Sequence, residues 1–111
     1  MSLPNNKIYG EIWQVKLYPV RGSEQDGIRP CLIVSPNSMN RILKTIIVLP
    51  LTTSLKEWPT RVKININAKV SQACIEHIRS VSKERFLKKI GVASDIELAA
   101  IRKHILATFS V

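Results

Sequence analysis

Gly22-Ser23-Glu24-Gln25-Asp26-Gly27-Ile28-Arg29-Pro30 runs straight into Cys31-Leu32-Ile33-Val34, and an alternating apolar run ends just before it at Tyr18-Pro19. Glycines at either end of the polar run permit positive φ, so the stretch reads as a loop between two strands. It is longer than a tight hairpin needs, which marks an adaptable or functional loop. Cys31 to Val34 is continuously apolar between Pro30 and Pro36, the pattern of a strand buried on both faces. The loop thus carries a hydroxyl (Ser23), a carboxylate (Glu24), an amide (Gln25) and a guanidinium (Arg29) to the rim of a sheet. The rest of the chain reads as the scaffold for that rim.

Working outward, residues 8 to 18 put Trp13, Val15 and Leu17 on one side and Gln14 and Lys16 on the other, as in a half-buried strand. Pro19 ends it, because proline donates nothing to a ladder. Ser35 to Asn40 is turn chemistry. Leu43 to Leu51 reads as a strand in which Pro50 marks a bulge or an edge. Arg61 to Asn67 alternates, with Val62, Ile64 and Ile66 inward and Arg61, Lys63, Asn65 and Asn67 outward. Gln72 to Val81 reads as one further strand, and Ser82 as the cap of a short helical turn through Phe86. Ser94-Asp95-Ile96-Glu97 is a capping box, and Leu98, Ile101, Ile105 and Phe109 follow at helical spacing as one apolar stripe. About five short strands, long rim loops and a terminal helix give an α+β, mainly β class: a small, strongly curved antiparallel sheet or barrel packed by one helix.

The 111 residues form one domain, 1–111, with residues 1–7 a flexible lead-in. Lysine and arginine number 17 against 8 aspartate and glutamate, a net charge of +9 that favours a polyanionic partner. Hydrophobic residues make up 45%, which argues against disorder. Cys31 and Cys74 lie in apolar runs without metal-ligand spacing and read as buried free thiols suited to a reducing cytoplasm. No run reaches membrane-spanning length, and no charged-then-apolar leader opens the chain. His77 and His104 stand alone, so no metal site is expected. Trp58, in a loop, has two readings: a base-stacking platform or a ring packed on its own domain.

Three pieces can meet at one rim: the opening loop with Ser23, Glu24 and Arg29; Thr52 and Thr53 at the end of a strand; and Glu76 with His77. Metal-free RNA cleavage needs about this set. A base takes the ribose 2′-hydroxyl proton, a cation stabilises the phosphorane, and donors hold the phosphate in line. Taken singly, each has a plainer explanation, such as a Glu24–Arg29 surface pair or Thr52 closing a turn.

Gly10-Glu11-Ile12-Trp13, the loop pattern Gly22-Ser23-Glu24-Gln25-x-Gly27-x-Arg29-Pro30 and Leu32-Ile33-Val34-Ser35-Pro36 resemble the MazF/PemK family of toxin endoribonucleases. Pro50-Leu51-Thr52-Thr53 and Ile75-Glu76-His77-Ile78-Arg79-Ser80-Val81 resemble two further motifs of that family, in order. The resemblance implies an SH3-like, CcdB/PemK-type barrel with a C-terminal helix, acting as a homodimer without cofactor. It implies metal-independent cleavage of single-stranded RNA at a preferred sequence, giving 2′,3′-cyclic phosphate and 5′-hydroxyl ends. It also implies a cognate antitoxin that neutralises the toxin through an acidic segment.

By the same resemblance Arg29 is the catalytic arginine, Thr52 the catalytic threonine and Glu24 a loop acid linked to activity. Ser23, Gln25, Thr53, Glu76, His77 and Arg79 are implied as RNA-binding. Within the loop, Ser23 to Gly27 is implied as the RNA-gripping lid and Arg29 as its fixed end. His77 departs from the family pattern, which carries Gln there; an imidazole changes charge near neutrality and an amide does not. Some relatives place a proton-donating arginine just before the acidic segment, where this chain has Ala73, Cys74 and Ile75. Two rival readings are a non-nuclease, CcdB-like toxin aimed at DNA gyrase and an SH3-like RNA-binding module.

Overall fold

A computed structural model describes residues 6–17 and 27–111 of the chain. Seven strands occur among them: β1 (Glu11–Lys16), β2 (Ile28–Ile33), β3 (Thr45–Thr52), β4 (Arg61–Ile66), β5 (Lys69–Cys74), β6 (Arg79–Ser82) and β7 (Phe86–Val92). A short helix α1 (Asn37–Asn40) follows β2, and the long helix α2 (Asp95–Phe109) ends the chain. The strands form one antiparallel sheet in the order β4-β5-β3-β2-β1-β7, with β6 pairing β3 off this path. The class expected from the sequence, mostly β and curled with a C-terminal helix, is the class observed.

β1 and β2 are antiparallel neighbours, Lys16 opposite Ile28 and Ile12 opposite Leu32, so the opening loop does join two paired strands. The Leu17 N–H closes the ladder on the Gly27 carbonyl at 2.6 Å. Alternation along these strands feeds two cores, because side chains switch faces at each residue. Ile12, Leu32, Leu49, Leu51 and Ile64 pack with Leu98 and Ile101 of α2. Val15, Leu17, Cys31, Ile33, Ile46, Val48, Val81 and Phe86 pack on the other side. Cys31, Leu32 and Ile33 are completely buried between the two, as their unbroken apolar run predicts.

β3 is the hub. Its first half, Thr45 to Val48, pairs β6, and its end, Leu51 and Thr52, pairs β5. Pro50 falls in the gap between these two partners, and on the other side it faces Cys31 of β2 with no register shift. It therefore marks neither a bulge nor an edge. Its missing N–H falls where the strand changes neighbours and no ladder bond is forfeited.

Other expectations need correction. The single strand Gln72–Val81 is two, split by a 3-10 turn at Ile75–His77. Ile75 turns into the core, its N–H bonds the Thr60 carbonyl at 3.0 Å, and the chain leaves β4 to pair the far half of β3. Strand β3 begins at Thr45 and not Leu43, because Leu43 still bonds back to Met39 after α1. The expected helical turn after Ser82 is a 3-10 turn confined to Lys83–Arg85, capped by Ser82, and strand β7 follows it over a stretch for which the sequence reading names no element. The capping box is present, with Ser94 and Glu97 each bonding the other's backbone N–H. The apolar stripe of α2 fades along its length: Leu98 and Ile101 are buried, whereas Phe109 is 59% exposed. No helix among the described residues is long and apolar enough to cross a membrane.

The motif Gly10-Glu11-Ile12-Trp13 has a structural explanation. Gly10 has φ +87°, and a Cβ there would sit 3.0 Å from Leu98 of α2. Glu11 accepts from the Ile8 N–H (3.0 Å) and the Trp13 indole N–H (3.0 Å), and pairs with Lys89 of β7 at 2.9 Å. Of the expected lead-in, Asn6 and Lys7 are described, and Lys7 lies over the Trp13 ring at 5.1 Å. Residues 1–5 are outside the described residues.

Candidate RNA-cleaving cleft

Strand ends converge on one rim of the sheet. The start of β2 supplies Arg29, the end of β3 supplies Pro50, Leu51 and Thr52, and the start of β4 supplies Arg61. Cys74 ends β5, His77 ends the 3-10 turn, Arg79 opens β6 and Leu17 follows β1. Together they line an open cleft of about 290 Å³. A second groove shares Arg29, Leu51 and Thr52 with it and continues past Thr53, Ser54 and Ser71. Arg29 and Thr52 therefore stand on the ridge common to both.

This brings together Arg29, Thr52, His77 and Arg79 in one cleft, with Thr53 in the adjoining groove and Glu76 behind the wall. Ser23, Glu24 and Gln25, and all of the implied lid except Gly27, lie outside the described residues. Thr52 also takes the plainer role, since its Oγ1 accepts the Ser54 N–H at 3.0 Å and closes a turn. Accepting that bond fixes the hydroxyl and leaves its proton to donate to a phosphate oxygen. The His77 ring is 65% exposed, with Nε2 3.9 Å from a Glu76 oxygen.

Arg61 is the site residue that sequence reading missed, because alternation assigned it to solvent. Its side chain is only 7% exposed. Nε donates to Glu76 Oε2 at 2.6 Å, and Nη1 donates to the Ser54 carbonyl at 3.1 Å and to Gln72 Oε1 at 3.3 Å. The guanidinium also lies 4.6 Å from the centre of the Trp58 ring. The signal was cross-strand register: Arg61 faces Cys74, the residue just before the acidic segment, where an arginine is absent from the sequence itself.

Three guanidiniums give the cleft its positive character, and no carboxylate is among its lining residues. Burial alone would raise the Glu76 carboxyl, but hydrogen bonds from Thr60 and Arg61 outweigh it and hold it below the ordinary carboxylate value. Burial pushes the Cys31 thiol up to about 12, against the opposing pull of Arg79 and Arg29. Burial likewise raises Cys74 at the cleft wall, and both cysteines are free thiols. Away from the cleft, His104 Nδ1 bonds the Ala100 carbonyl of its own helix at 2.8 Å. No group of three or more His, Cys, Asp or Glu gathers as a metal site among the described residues.

A curled antiparallel sheet with an arginine-rich cleft where its strand ends meet defines a small β protein whose cleft suits an anionic ligand. Residues 9–109 match the family model described as the PemK-like, MazF-like toxin of type II toxin-antitoxin systems. The chain belongs to that family. It is 39% identical over 102 residues to the endoribonuclease MazF9 of Mycobacterium tuberculosis, covering 83% of this chain and 86% of the relative. It is 32% identical over 102 residues to the endoribonuclease MazF of Staphylococcus saprophyticus, covering 86% of this chain and 85% of that protein. Among solved structures, an endoribonuclease from a mycobacterial species in complex with its cognate antitoxin superposes with a TM-score of 0.81. That likeness spans 95% of this chain and 96% of the other at 20% identity, and it concerns the fold.

Proposed function

We propose that this PemK/MazF-family toxin is an endoribonuclease that cuts single-stranded RNA in the Arg29–Thr52 cleft without a metal ion. The observation that carries the reading is that Arg29 and Thr52, distant in sequence, line one positively charged cleft in a chain of this family. The ribose 2′-hydroxyl gives up its proton to a base and attacks the adjacent phosphorus, the P–O5′ bond breaks, and the O5′ leaving group takes up a proton, leaving a 2′,3′-cyclic phosphate and a 5′-hydroxyl. Arg29 stabilises the charge that builds on the phosphorane, since its fork matches two phosphate oxygens and does not titrate away. Thr52 donates a hydrogen bond from its hydroxyl to the same phosphate. Glu24 supplies the loop carboxylate. Ser23, Gln25, Thr53, Glu76, His77 and Arg79 bind or orient the RNA, Glu76 doing so through Arg61.

The deciding experiment incubates purified protein with a long single-stranded RNA in EDTA and maps new 5′ ends. Discrete cuts are expected, and Arg29→Ala should slow them roughly 10²–10³-fold with the fold intact. Undiminished cutting by Arg29→Ala would remove that residue from the mechanism, and binding without cutting would favour a recognition module. His77 tunes the same site, since it stands beside Glu76 in a cleft also lined by Arg29, Arg61 and Arg79. Replacing it by the family's Gln should change the cleavage-site profile or the pH–rate curve; if neither moves, His77 has no such role.

Residues 1–111 act as one cytoplasmic toxin domain, a reading supported by a family match that runs through 9–109. The toxin pairs as a homodimer, consistent with the exposed Leu87 and Val92 on edge strand β7 and Ile96, Leu106 and Phe109 on α2. A cognate antitoxin covers the cleft with an acidic segment, for which the +9 charge provides complementarity.

A further inference from the structure

Trp58 belongs to neither hydrophobic cluster, and 49% of its surface is open. A tryptophan kept out of the core leaves a large apolar face in water, so its position calls for an explanation other than packing. The loop that carries it, between β3 and β4, is held along its length. The Gln72 side-chain amide grips both sides of Lys56, accepting from its N–H at 2.9 Å and donating to its carbonyl at 3.0 Å. Arg61 holds the Ser54 carbonyl through its side chain and the Trp58 carbonyl through its own N–H at 3.0 Å. The Thr60 carbonyl is taken by Ile75 at 3.0 Å. A surface loop with this many anchors presents its tryptophan in a fixed place, with its ordering entropy already spent.

The Arg61 guanidinium backs that ring at 4.6 Å and also lines the cleft that holds Arg29 and Thr52. Lys56 Nζ adds a second cation 5.8 Å from the ring centre. The result is an aromatic ring with positive charge around it, joined through Arg61 to the cleft that holds Arg29 and Thr52. That is the combination by which proteins hold unpaired bases: stacking on the ring, with cations for the backbone.

We propose that Trp58 is a base-stacking residue that takes one nucleobase flanking the scissile phosphate, with Arg61 as the positioning residue that ties this platform to the cleft. The proposal rests on the RNA-cleaving reading above and adds to it a subsite on the β3–β4 loop. Trp58 acts on binding and register and takes no part in the bond-making step. Its loss therefore appears in KM and in the choice of cut site, and kcat at the remaining sites is kept.

Two measurements test it. A cut site is first mapped on long RNA, and an oligonucleotide of that sequence with a 2′-O-methyl group at the attacking ribose is made as a non-cleavable probe. In a Trp13→Phe background, where Trp58 is the remaining tryptophan, saturating probe should quench the emission. In parallel, Trp58→Ala should raise KM roughly 5- to 100-fold and alter preference at one flanking position. Trp58→Phe should recover most of both, and the thermal midpoint of each variant should confirm that it folds. A bound probe that leaves Trp58 emission unchanged, together with an unaltered KM and cut-site profile in Trp58→Ala, would overturn the proposal while leaving the nuclease reading intact. A wild-type protein that neither binds nor cuts RNA would overturn both.

Discussion

At the scale of single residues, Arg61 shows how one side chain serves structure and site together. It satisfies Glu76, the Ser54 carbonyl and Gln72, and it backs Trp58. Removing a nearly buried guanidinium leaves these acceptors unpaired, so Arg61→Ala should cost about 2–4 kcal/mol in chemical denaturation. Arg61→Lys should restore only part of this, because a single ammonium cannot reach the same divergent partners. A stability within about 0.5 kcal/mol of wild type for Arg61→Ala would contradict the role. Arg61 was also the hardest site residue to read from the sequence. Alternation put Val62 and Ile64 inward correctly and thereby sent Arg61 outward. What holds it in place are partners from other segments, Glu76, the Ser54 carbonyl and Gln72, which are invisible to a pattern read along one strand. Arg29, Thr52 and His77 were legible because each sits in a motif of its own. Their meeting in one cleft depends on sheet order, which residue patterns do not encode.

At the scale of elements, β7 is held to β1 through Glu11, whose carboxylate joins Lys89 to the Trp13 indole and the Ile8 N–H. Burial pushes the Glu11 carboxyl up, but these bonds outweigh it and hold it below its ordinary value of 4.5. The sign follows from linkage: a carboxyl depressed in the folded state binds fewer protons there than when unfolded, so folding gains stability above the ordinary carboxylate value. That gain, shared with Glu76, should be lost as pH falls below about 4.5. Denaturation at pH 7 and pH 3 should show a smaller acid loss in Glu11→Gln than in wild type. An equal loss would mean that other carboxylates dominate. The elements themselves differed in legibility. Helix α2 was readable because Ser94 and Glu97 announce its start and Leu98 and Ile101 repeat at helical spacing. Strand β7 was not, because its pairing with β1 slips at Ile12/Trp13 and again at Gln14/Val15. Those irregularities erase the alternation by which a strand is recognised.

At the scale of the whole molecule, the +9 charge and the arginine cleft predict binding that is strongly salt-dependent. A protein that neutralises phosphates releases their condensed counterions, and log K falls linearly with log salt. With the non-cleavable oligonucleotide, Arg29→Ala should reduce that slope by roughly 0.7, the value for one phosphate contact to a single strand. A parallel line of unchanged slope would mean that Arg29 does not touch phosphate in the bound state.

Strand β3 joins these scales. Its first half is core, from Ile46 to Leu49, and its last residues are rim, through Pro50 to Thr52. Nothing in between acts as a joint: the register against β2 continues across Pro50, and the turn after Thr52 is closed by the threonine's own oxygen. The position of Thr52 is thus inherited from the interior of the curled sheet. Such a toxin has no way to loosen its cleft while keeping its body rigid. Selection for harmless copies would therefore reach the same end from either direction, by blunting the rim or by thinning the central strand. Survivors of a toxicity screen should carry lesions at Ile46 to Leu49 as readily as at Arg29 and Thr52.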